Sequence, residues 1–201
     1  MDSKLPSTGT TIFAVMGALS AEHDAINLSQ GFPSFNPSSE LLELVNQYLT
    51  DGANQYAPMT GVPSPRPATA TKVAALYGRQ TDATTEVTVC DGATEGLFSA
   101  IQAVVHPGDE VIVFDPAYDS YDPAVALAGG RTLHIPLTTT DTNPEFHIDW
   151  DRLRDTISDR TRLIIVNFPH NPTGAILSAS DLDNLADIVR DTDVYLLSDE
   201  V

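Results

Sequence analysis

Four short polar segments, each directly after an apolar run, hold the side chains best suited to chemistry in this sequence. They are Asp91-Gly92-Ala93-Thr94-Glu95, Asp115-Pro116-Ala117-Tyr118, Asn171-Pro172-Thr173-Gly174 and Ser198-Asp199-Glu200. The first opens a predicted helix with small residues, so its backbone N–H groups and the Thr94 hydroxyl form a site for an anion such as phosphate. The other three offer an aromatic ring, a side-chain amide and a carboxylate.

The elements around these segments predict a shared location for them. From residue 86 onward, apolar strands alternate with helices, a pattern typical of a parallel sheet covered by helices on both faces. The predicted strands are 87–90, 111–114, 131–136, 162–167 and 194–198, and the predicted helices are 94–105, 120–128, 149–157 and 180–190, the last with Ser180 as its cap. Because ligands bind at the carboxyl ends of the strands in an open parallel sheet, all four segments are expected at one edge.

The first part of the chain differs in composition. Residues 1–80 are rich in proline, glycine, serine and threonine, and two helical stretches, 11–22 and 38–50, are predicted within this N-terminal arm. Pro65 and Pro67 follow further along. Proline inside a helix costs about 3 kcal/mol but is tolerated in the first turn, so a helix here is expected to begin near Pro67.

The composition excludes several classes of partner. With 28 acidic and 10 basic residues, the formal net charge is -18, which repels nucleic acid and anionic membrane. Such acidity is typical of proteins from salt-loving organisms, and equally of an ordinary acidic cytosolic protein.

Cys90 is the only cysteine, so no internal disulfide framework is possible, and no spacing of histidines and carboxylates predicts a metal site. No apolar run reaches transmembrane length, and a cytoplasmic location is expected.

Each of the four segments has an ordinary structural explanation on its own: a helix cap, core packing, a turn or a second cap. Their convergence in successive loops at one edge of a sheet favours a ligand site instead. The sequence contains neither G-x-G-x-x-G after a strand nor G-x-x-x-x-G-K-[ST]. The fingerprints of dinucleotide and nucleoside-triphosphate sites are therefore absent.

A phosphorylated aromatic ring with a basic ring nitrogen and a phenolic oxygen would use all four segments. Its phosphate would bind at 92–94, its ring would stack on Tyr118, and Asn171 would donate to the phenolic oxygen. Asp199 would pair with the ring nitrogen and keep it protonated. These features describe pyridoxal 5'-phosphate, whose protonated ring acts as an electron sink.

Several motifs resemble those of class I/II aminotransferases, which have the fold type I of enzymes dependent on pyridoxal phosphate (PLP). They are NQYAPMTG at 54–61, DGATEGLFSA at 91–100, NPTG at 171–174 and SDEV at 198–201. With AEHDAINLSQGFPSF at 21–35 and HPGDEVIVFDPAYDSY at 106–121, the likeness narrows to the methionine or kynurenine–oxoglutarate aminotransferase subgroup and covers nearly the whole chain. It implies an α/β fold with a mostly parallel sheet. Residues 1–50 would be an N-terminal arm and part of the small domain, and 51–201 the first part of the large PLP-binding domain.

The resemblance implies roles for residues that match the family's motifs. Gly31 and Asn171 match residues near the substrate carboxylate, and Tyr56 matches a tyrosine that reaches the cofactor phosphate of the neighbouring subunit in a homodimer. Contacts with the cofactor are implied for Ala93, Thr94, Tyr118, Asn171, Asp199 and Tyr56. Ser29 and Ser34 depart from the family, since close relatives usually have glycine and aspartate there.

The Schiff-base lysine of the family is expected beyond Val201, because Lys4 and Lys72 do not lie in its motif. The resemblance therefore implies the N-terminal portion of an aminotransferase. The intact enzyme would move an amino group from an amino acid (methionine, aromatic or glutamine-like) to a 2-oxo acid. The chain alone is expected to be inactive, with no catalytic residue of its own. Two alternatives stay open: a carbon–sulfur β-lyase of the same fold, and a non-catalytic truncated fragment.

Overall fold

The computed structural model describes residues 2–6, 8–31, 33–140 and 144–201. The chain forms two compact units, one of residues 9–90 and one of residues 91–201 together with the first eight. Phe32, in the motif that carries Gly31, lies outside the described residues. The predicted domain boundary at residue 50 stays a prediction.

The described part of the 9–90 unit contains three helices, α1 (Ile12–Glu22), α2 (Ser39–Thr50) and α3 (Pro65–Tyr77). The first two confirm the predicted helical stretches. Helix α3 begins at Pro65, so the expected start near Pro67 was wrong. The first N–H groups of a helix have no partner within it, and a proline at either position therefore costs no hydrogen bond.

The segment 87–90 is not a strand, and that prediction was wrong. The Val89 N–H donates to the Thr60 carbonyl at 3.1 Å, and the Val87 carbonyl accepts from Nε of Arg66 at 2.9 Å. The same guanidinium donates to the Thr84 carbonyl at 2.7 Å. An apolar run becomes a strand only where a neighbouring strand offers a ladder of partners. Here isolated bonds engage the backbone groups instead.

The second unit is built on a sheet of four strands, β1 (Glu110–Asp115), β2 (Arg131–Pro136), β3 (Thr161–Asn167) and β4 (Tyr195–Asp199). All neighbouring pairs are parallel, and the order across the sheet is β2-β1-β3-β4. The chain runs from β1 to β2 on one side and then returns to β3 on the other. The carboxyl ends of β1 and β3 therefore flank a topological switch point, where ligands bind in open α/β sheets.

Helices cover both faces of this sheet. One face packs against α4 (Ala93–Val104) and α5 (Tyr121–Ala128), and the other against α6 (Trp150–Thr156) and α7 (Ala179–Val189). Because successive strand residues point to opposite faces, Val111 and Val113 lie in the first core layer and Ile112 in the second. The predicted α/β architecture is confirmed. In the ranges that the structure describes, no helix is both long and apolar enough to cross a bilayer.

The cap of α7 is Ser178, so the predicted cap at Ser180 was wrong. The Ser178 hydroxyl accepts from the Asp181 N–H at 3.2 Å, and the Asp181 carboxylate accepts from the Ser178 N–H at 2.9 Å. Ser180 and Asp183 have the same spacing in the sequence, so both pairs fit a capping box. The Trp150 indole N–H donates to Asp181 at 3.1 Å, which adds a partner that favours the Ser178 pair.

Candidate active site

The turn before α4 prepares the start of that helix for an anion. Gly92 has φ 83° and ψ 164°, a backbone region accessible essentially to glycine alone. Ala93 and Thr94 are the first residues of α4, where backbone N–H groups have no partner within the helix. The Glu95 carboxylate turns back to accept from the Asp91 N–H, and none of the described side chains caps the helix. The helix start therefore keeps N–H donors available at its positive end.

Two tyrosines follow β1 and fix each other's orientation. The rings of Tyr118 and Tyr121 lie 5.7 Å apart at an interplanar angle of 77°, the edge-to-face arrangement that aromatic pairs favour. Tyr121 is the first residue of α5 and is only 2% exposed, whereas Tyr118 is half-buried. The buried ring thus holds the more accessible ring of Tyr118 in place.

Asp199, the last residue of β4, is a buried carboxylate with two hydrogen-bond donors. The Tyr121 hydroxyl donates to its Oδ2, and the Val201 N–H donates to its Oδ1 at 3.3 Å. Burial and the bond to Asp199 raise the pKa of the Tyr121 phenol far above its ordinary value. Because the phenol stays protonated, it donates to the carboxylate throughout the physiological pH range.

Asn171 follows β3, and its backbone is held by a second asparagine. The Asn171 N–H donates to Oδ1 of Asn167 at 3.0 Å, and Nδ2 of Asn167 donates to the Asp199 carbonyl at 2.9 Å. Asn167 is 8% exposed and ends β3, whereas Asn171 is exposed. One buried amide therefore connects the two segments that carry Asn171 and Asp199.

The loop that holds Asn171 closes on itself. The Gly174 N–H donates to the His170 carbonyl, and the His170 N–H donates to the Ala175 carbonyl, both at 2.8 Å. Gly174 has φ 74°, which glycine adopts without strain. The imidazole of His170 contacts the Thr173 hydroxyl at 2.9 Å, and burial lowers the pKa of this imidazole. His170 is thus a neutral group that stabilises the loop.

The predicted residues of this unit meet at one cavity of about 440 Å³, its open mouth included. Its walls are formed by Ala93, Thr94, Leu97, Tyr118, Asn167, Asn171, Asp199 and Val201. An anion-binding helix start, an aromatic ring, an amide and a buried carboxylate therefore face the same space. Their contacts with a ligand stay predictions.

Gly31 and Tyr56 lie in the 9–90 unit and are exposed. A Cβ built on Gly31 would meet no atom within 4 Å, so local crowding does not require glycine there. The roles that the resemblance implies for these two residues, at the substrate carboxylate and at a neighbouring subunit, stay predictions.

Two residues of the site were not identified from the sequence. The sequence pattern places Tyr121 in a helix and Asn167 at the end of a strand, and it assigns neither of them a role in the site. A signal for Asn167 was present, because an asparagine directly after four buried aliphatic residues needs hydrogen-bond partners inside the protein. Tyr121 gave no comparable signal, since its partner Asp199 is distant in the sequence.

A family model described as aminotransferase class I and II matches residues 23–201. The chain belongs to the class I and II aminotransferases. The family resemblance of the sequence motifs is therefore confirmed, and the NPTG and SDEV motifs lie within the matched range.

Curated relatives agree with this family. The chain is 49% identical to the methionine aminotransferase of Escherichia coli over 199 residues, which are 99% of this chain and 50% of the relative. It is 40% identical to a probable N-succinyldiaminopimelate aminotransferase of Mycobacterium tuberculosis, again over 99% of this chain and 50% of the relative. Mouse kynurenine–oxoglutarate transaminase 3 is 35% identical over 98% of this chain and 45% of its own length. The chain thus spans about half the length of these relatives.

Solved structures confirm fold type I. The structure of an Escherichia coli protein with a methionine aminotransferase function aligns with a TM-score of 0.94 and 48% identity, over 100% of this chain and 52% of the other. N-succinyldiaminopimelate aminotransferase from Mycobacterium tuberculosis aligns equally well, with a TM-score of 0.94 and 40% identity over the same shares of the two chains. The whole of this chain therefore aligns with about half of each of these solved structures.

Proposed function

We propose that this chain supplies the cofactor site of a PLP-dependent aminotransferase, which transfers an amino group from an amino acid to a 2-oxo acid. The observation that carries the proposal is the cavity at the carboxyl ends of β1, β3 and β4. There the start of α4 and the carboxylate of Asp199 line the same space. A ligand with a phosphate and a basic ring nitrogen matches this pair of groups.

The residues present fit pyridoxal phosphate in chemical type. Ala93 and Thr94 would hold the phosphate with N–H groups and a hydroxyl, Tyr118 would stack on the ring, and the Asn171 amide would donate to the phenolic oxygen. Asp199 would pair with the ring nitrogen. When bound, the cofactor supplies a protonated ring that accepts electrons from the substrate.

Asp199 is built to hold a proton at that ring nitrogen. Its carboxylate is buried, and attraction between opposite charges is stronger inside a protein than in water. The donors from Tyr121 and Val201 fix both of its oxygens. The residue therefore needs no reorganisation when charge develops on the substrate, which is the condition for electrostatic catalysis.

The described residues around the cavity bind and orient, and none of them is a lysine. The Schiff-base lysine that the family resemblance implies, which would carry the proton at the substrate's α-carbon, is therefore no part of these walls. We assign the residues of this chain to three tasks: holding the phosphate, fixing the ring and keeping its nitrogen protonated.

The names of the relatives support an α-amino acid as the amino donor, because they specify methionine, kynurenine and N-succinyldiaminopimelate aminotransferases. We propose a 2-oxo acid as the acceptor, a homodimer in which Tyr56 serves the neighbouring subunit, and a cytoplasmic location. The names of these relatives give no support to the β-lyase alternative.

Product analysis tests the function. The protein expressed from its complete gene, loaded with pyridoxal phosphate, should convert methionine and a 2-oxo acid into the corresponding 2-oxo and amino acids. The variant Asn171→Ala should lower turnover by at least about tenfold. Asn184→Ala is the matched control and should not, because Asn184 lies on α7 and contacts Arg154. Pyruvate and ammonia formed from cystathionine, without exchange of 2-oxo acids, would identify a lyase and contradict the proposal.

A further inference from the structure

Asn167 has both ends of its side-chain amide engaged in the interior. It donates to the Asp199 carbonyl at 2.9 Å and accepts from the Asn171 N–H at 3.0 Å. A carbonyl can only accept and an N–H can only donate, so the two partners fix which end of the amide faces which segment. Asparagine is therefore matched to this position by chemistry as well as by size.

The position lies where the ladder of the sheet ends. Asn167 and Asp199 are paired residues at the last rung between β3 and β4. Beyond this rung the segments that follow β3 and β4 no longer pair as strands. The side-chain amide of Asn167 adds hydrogen bonds one step further along. It thereby ties together the two segments whose ends carry Asn171 and Asp199.

We propose that Asn167 is a positioning residue that sets the separation between the Asn171 and Asp199 side chains, and through them the affinity for pyridoxal phosphate and the protonation of its ring nitrogen. The proposal rests on the proposed function. Ligand-holding groups must lie within about 0.5 Å of their working geometry, and a buried amide with two fixed bonds supplies that restraint.

Two variants separate the two bonds. Asn167→Ala removes both. Asn167→Asp keeps the bond from the Asn171 N–H, but it places a carboxylate oxygen opposite the Asp199 carbonyl, where two acceptors repel each other. The first variant should release both segments, and the second should disturb mainly the segment of Asp199.

The same strand offers a matched control. Thr161 begins β3, is 8% exposed like Asn167, and its hydroxyl accepts from the Ser158 N–H at 2.9 Å. Thr161→Val removes one partly buried hydrogen bond at the end of β3 remote from the cavity. It should lower the melting temperature without a specific effect on the ligand site.

The test uses the protein expressed from its complete gene, freed of cofactor and titrated with pyridoxal phosphate labelled with ¹⁵N in the ring. Asn167→Ala should raise Kd by about tenfold, or about 1.4 kcal/mol. It should also lower the pKa of the bound ring nitrogen and speed hydrogen exchange at the Asn171 N–H. Asn167→Asp should likewise raise Kd, with slower exchange at the Asn171 N–H than in the alanine variant, because the bond to that N–H remains. Thr161→Val should leave all three values unchanged.

Two results would overturn the proposal in distinguishable ways. If Asn167→Ala keeps the affinity and the ring pKa of the unmodified protein, Asn167 has a structural role only. If the unmodified protein itself binds no pyridoxal phosphate, the proposed function fails and the role of Asn167 falls with it, whatever the exchange rate at Asn171.

Discussion

The Tyr121 hydroxyl donates a hydrogen bond to Oδ2 of Asp199 and so joins the start of α5 to the end of β4. Both residues are buried, and the tyrosine ring also packs edge-to-face against Tyr118. A single side chain therefore supports the aromatic ring and the carboxylate of the candidate site at the same time.

Tyr121→Phe should lower both the free energy of unfolding and the affinity for pyridoxal phosphate, while the shape of the site stays intact. The ring and its contact with Tyr118 remain, but Asp199 loses a donor. A hydrogen bond to a charged group contributes about 1.5–3 kcal/mol, so the free energy of unfolding should fall by that order. Urea denaturation and titration with pyridoxal phosphate measure the two effects. Tyr48→Phe on the exposed surface of α2 is the control, and equal behaviour of the two variants would refute the supporting role.

Gly92→Ala should damage the phosphate end of the cavity. With φ 83° and ψ 164°, an added Cβ strains the backbone by about 1–3 kcal/mol, although no atom lies within 4 Å of it. Relief of this strain should shift the backbone at the start of α4 and with it the N–H groups of Ala93 and Thr94. Affinity for pyridoxal phosphate should therefore fall more than affinity for unphosphorylated pyridoxal.

A helical glycine provides the comparison for this prediction. Gly17 lies in α1 with ordinary space around it, and Gly17→Ala should stabilise the protein by roughly 0.5–1 kcal/mol. Calorimetry of both variants distinguishes the two sites. A stabilising effect of Gly92→Ala would show that its conformation places no constraint on the helix start.

Glu110 lies at the end of the sheet remote from the cavity, and its ionisation should make the free energy of unfolding depend on pH. It is buried at the start of β1 and accepts from the Ser158 hydroxyl and from Arg160, each at 2.7 Å. The hydrogen bond from the Ser158 hydroxyl is the main cause that lowers the pKa of this carboxyl below its ordinary value near 4.5, and Arg160 lowers this pKa further.

Because the pKa is lower in the folded state, the stabilisation is complete above the unfolded pKa and is lost as pH falls through the folded one. Glu110→Gln should cost about 1–3 kcal/mol at neutral pH, and the difference from the unmodified protein should shrink in acid. Urea unfolding over a pH series measures this, with Glu43→Gln on α2 as an exposed control. A difference that is constant with pH would contradict it.

Much of the fold followed from local pattern. Each strand and helix of the 91–201 unit lies within one residue of its predicted bounds, because apolar runs and turn residues alternate clearly there. The strand order did not follow, since alternation predicts parallel pairing but not which neighbour each strand takes. The prediction of a strand at 87–90 was wrong for a related reason. A strand-like composition forms a strand only beside a partner strand, and the backbone of this segment instead bonds to Thr60 and Arg66.

The candidate site was predictable where a residue directly follows a strand. Tyr118, Asn171 and Asp199 come together because parallel strands end at the same edge. The residues that hold them depend on contacts across long stretches of chain, from Tyr121 to Asp199 and from Asn167 to Asp199. Spacing within the sequence carries no information on such pairs.

We propose that Asp199 keeps the ring nitrogen of bound pyridoxal phosphate protonated, and the rate at which the substrate loses its α-proton measures this role. With the protein expressed from its complete gene and α-deuterated methionine, loss of deuterium can be followed by NMR in the unmodified protein, Asp199→Asn and Asp199→Glu. The asparagine variant should fold and bind the cofactor yet lose deuterium at least about a hundredfold more slowly, and the glutamate variant should lose less activity. An unchanged rate in Asp199→Asn, with the cofactor bound, would contradict the claim.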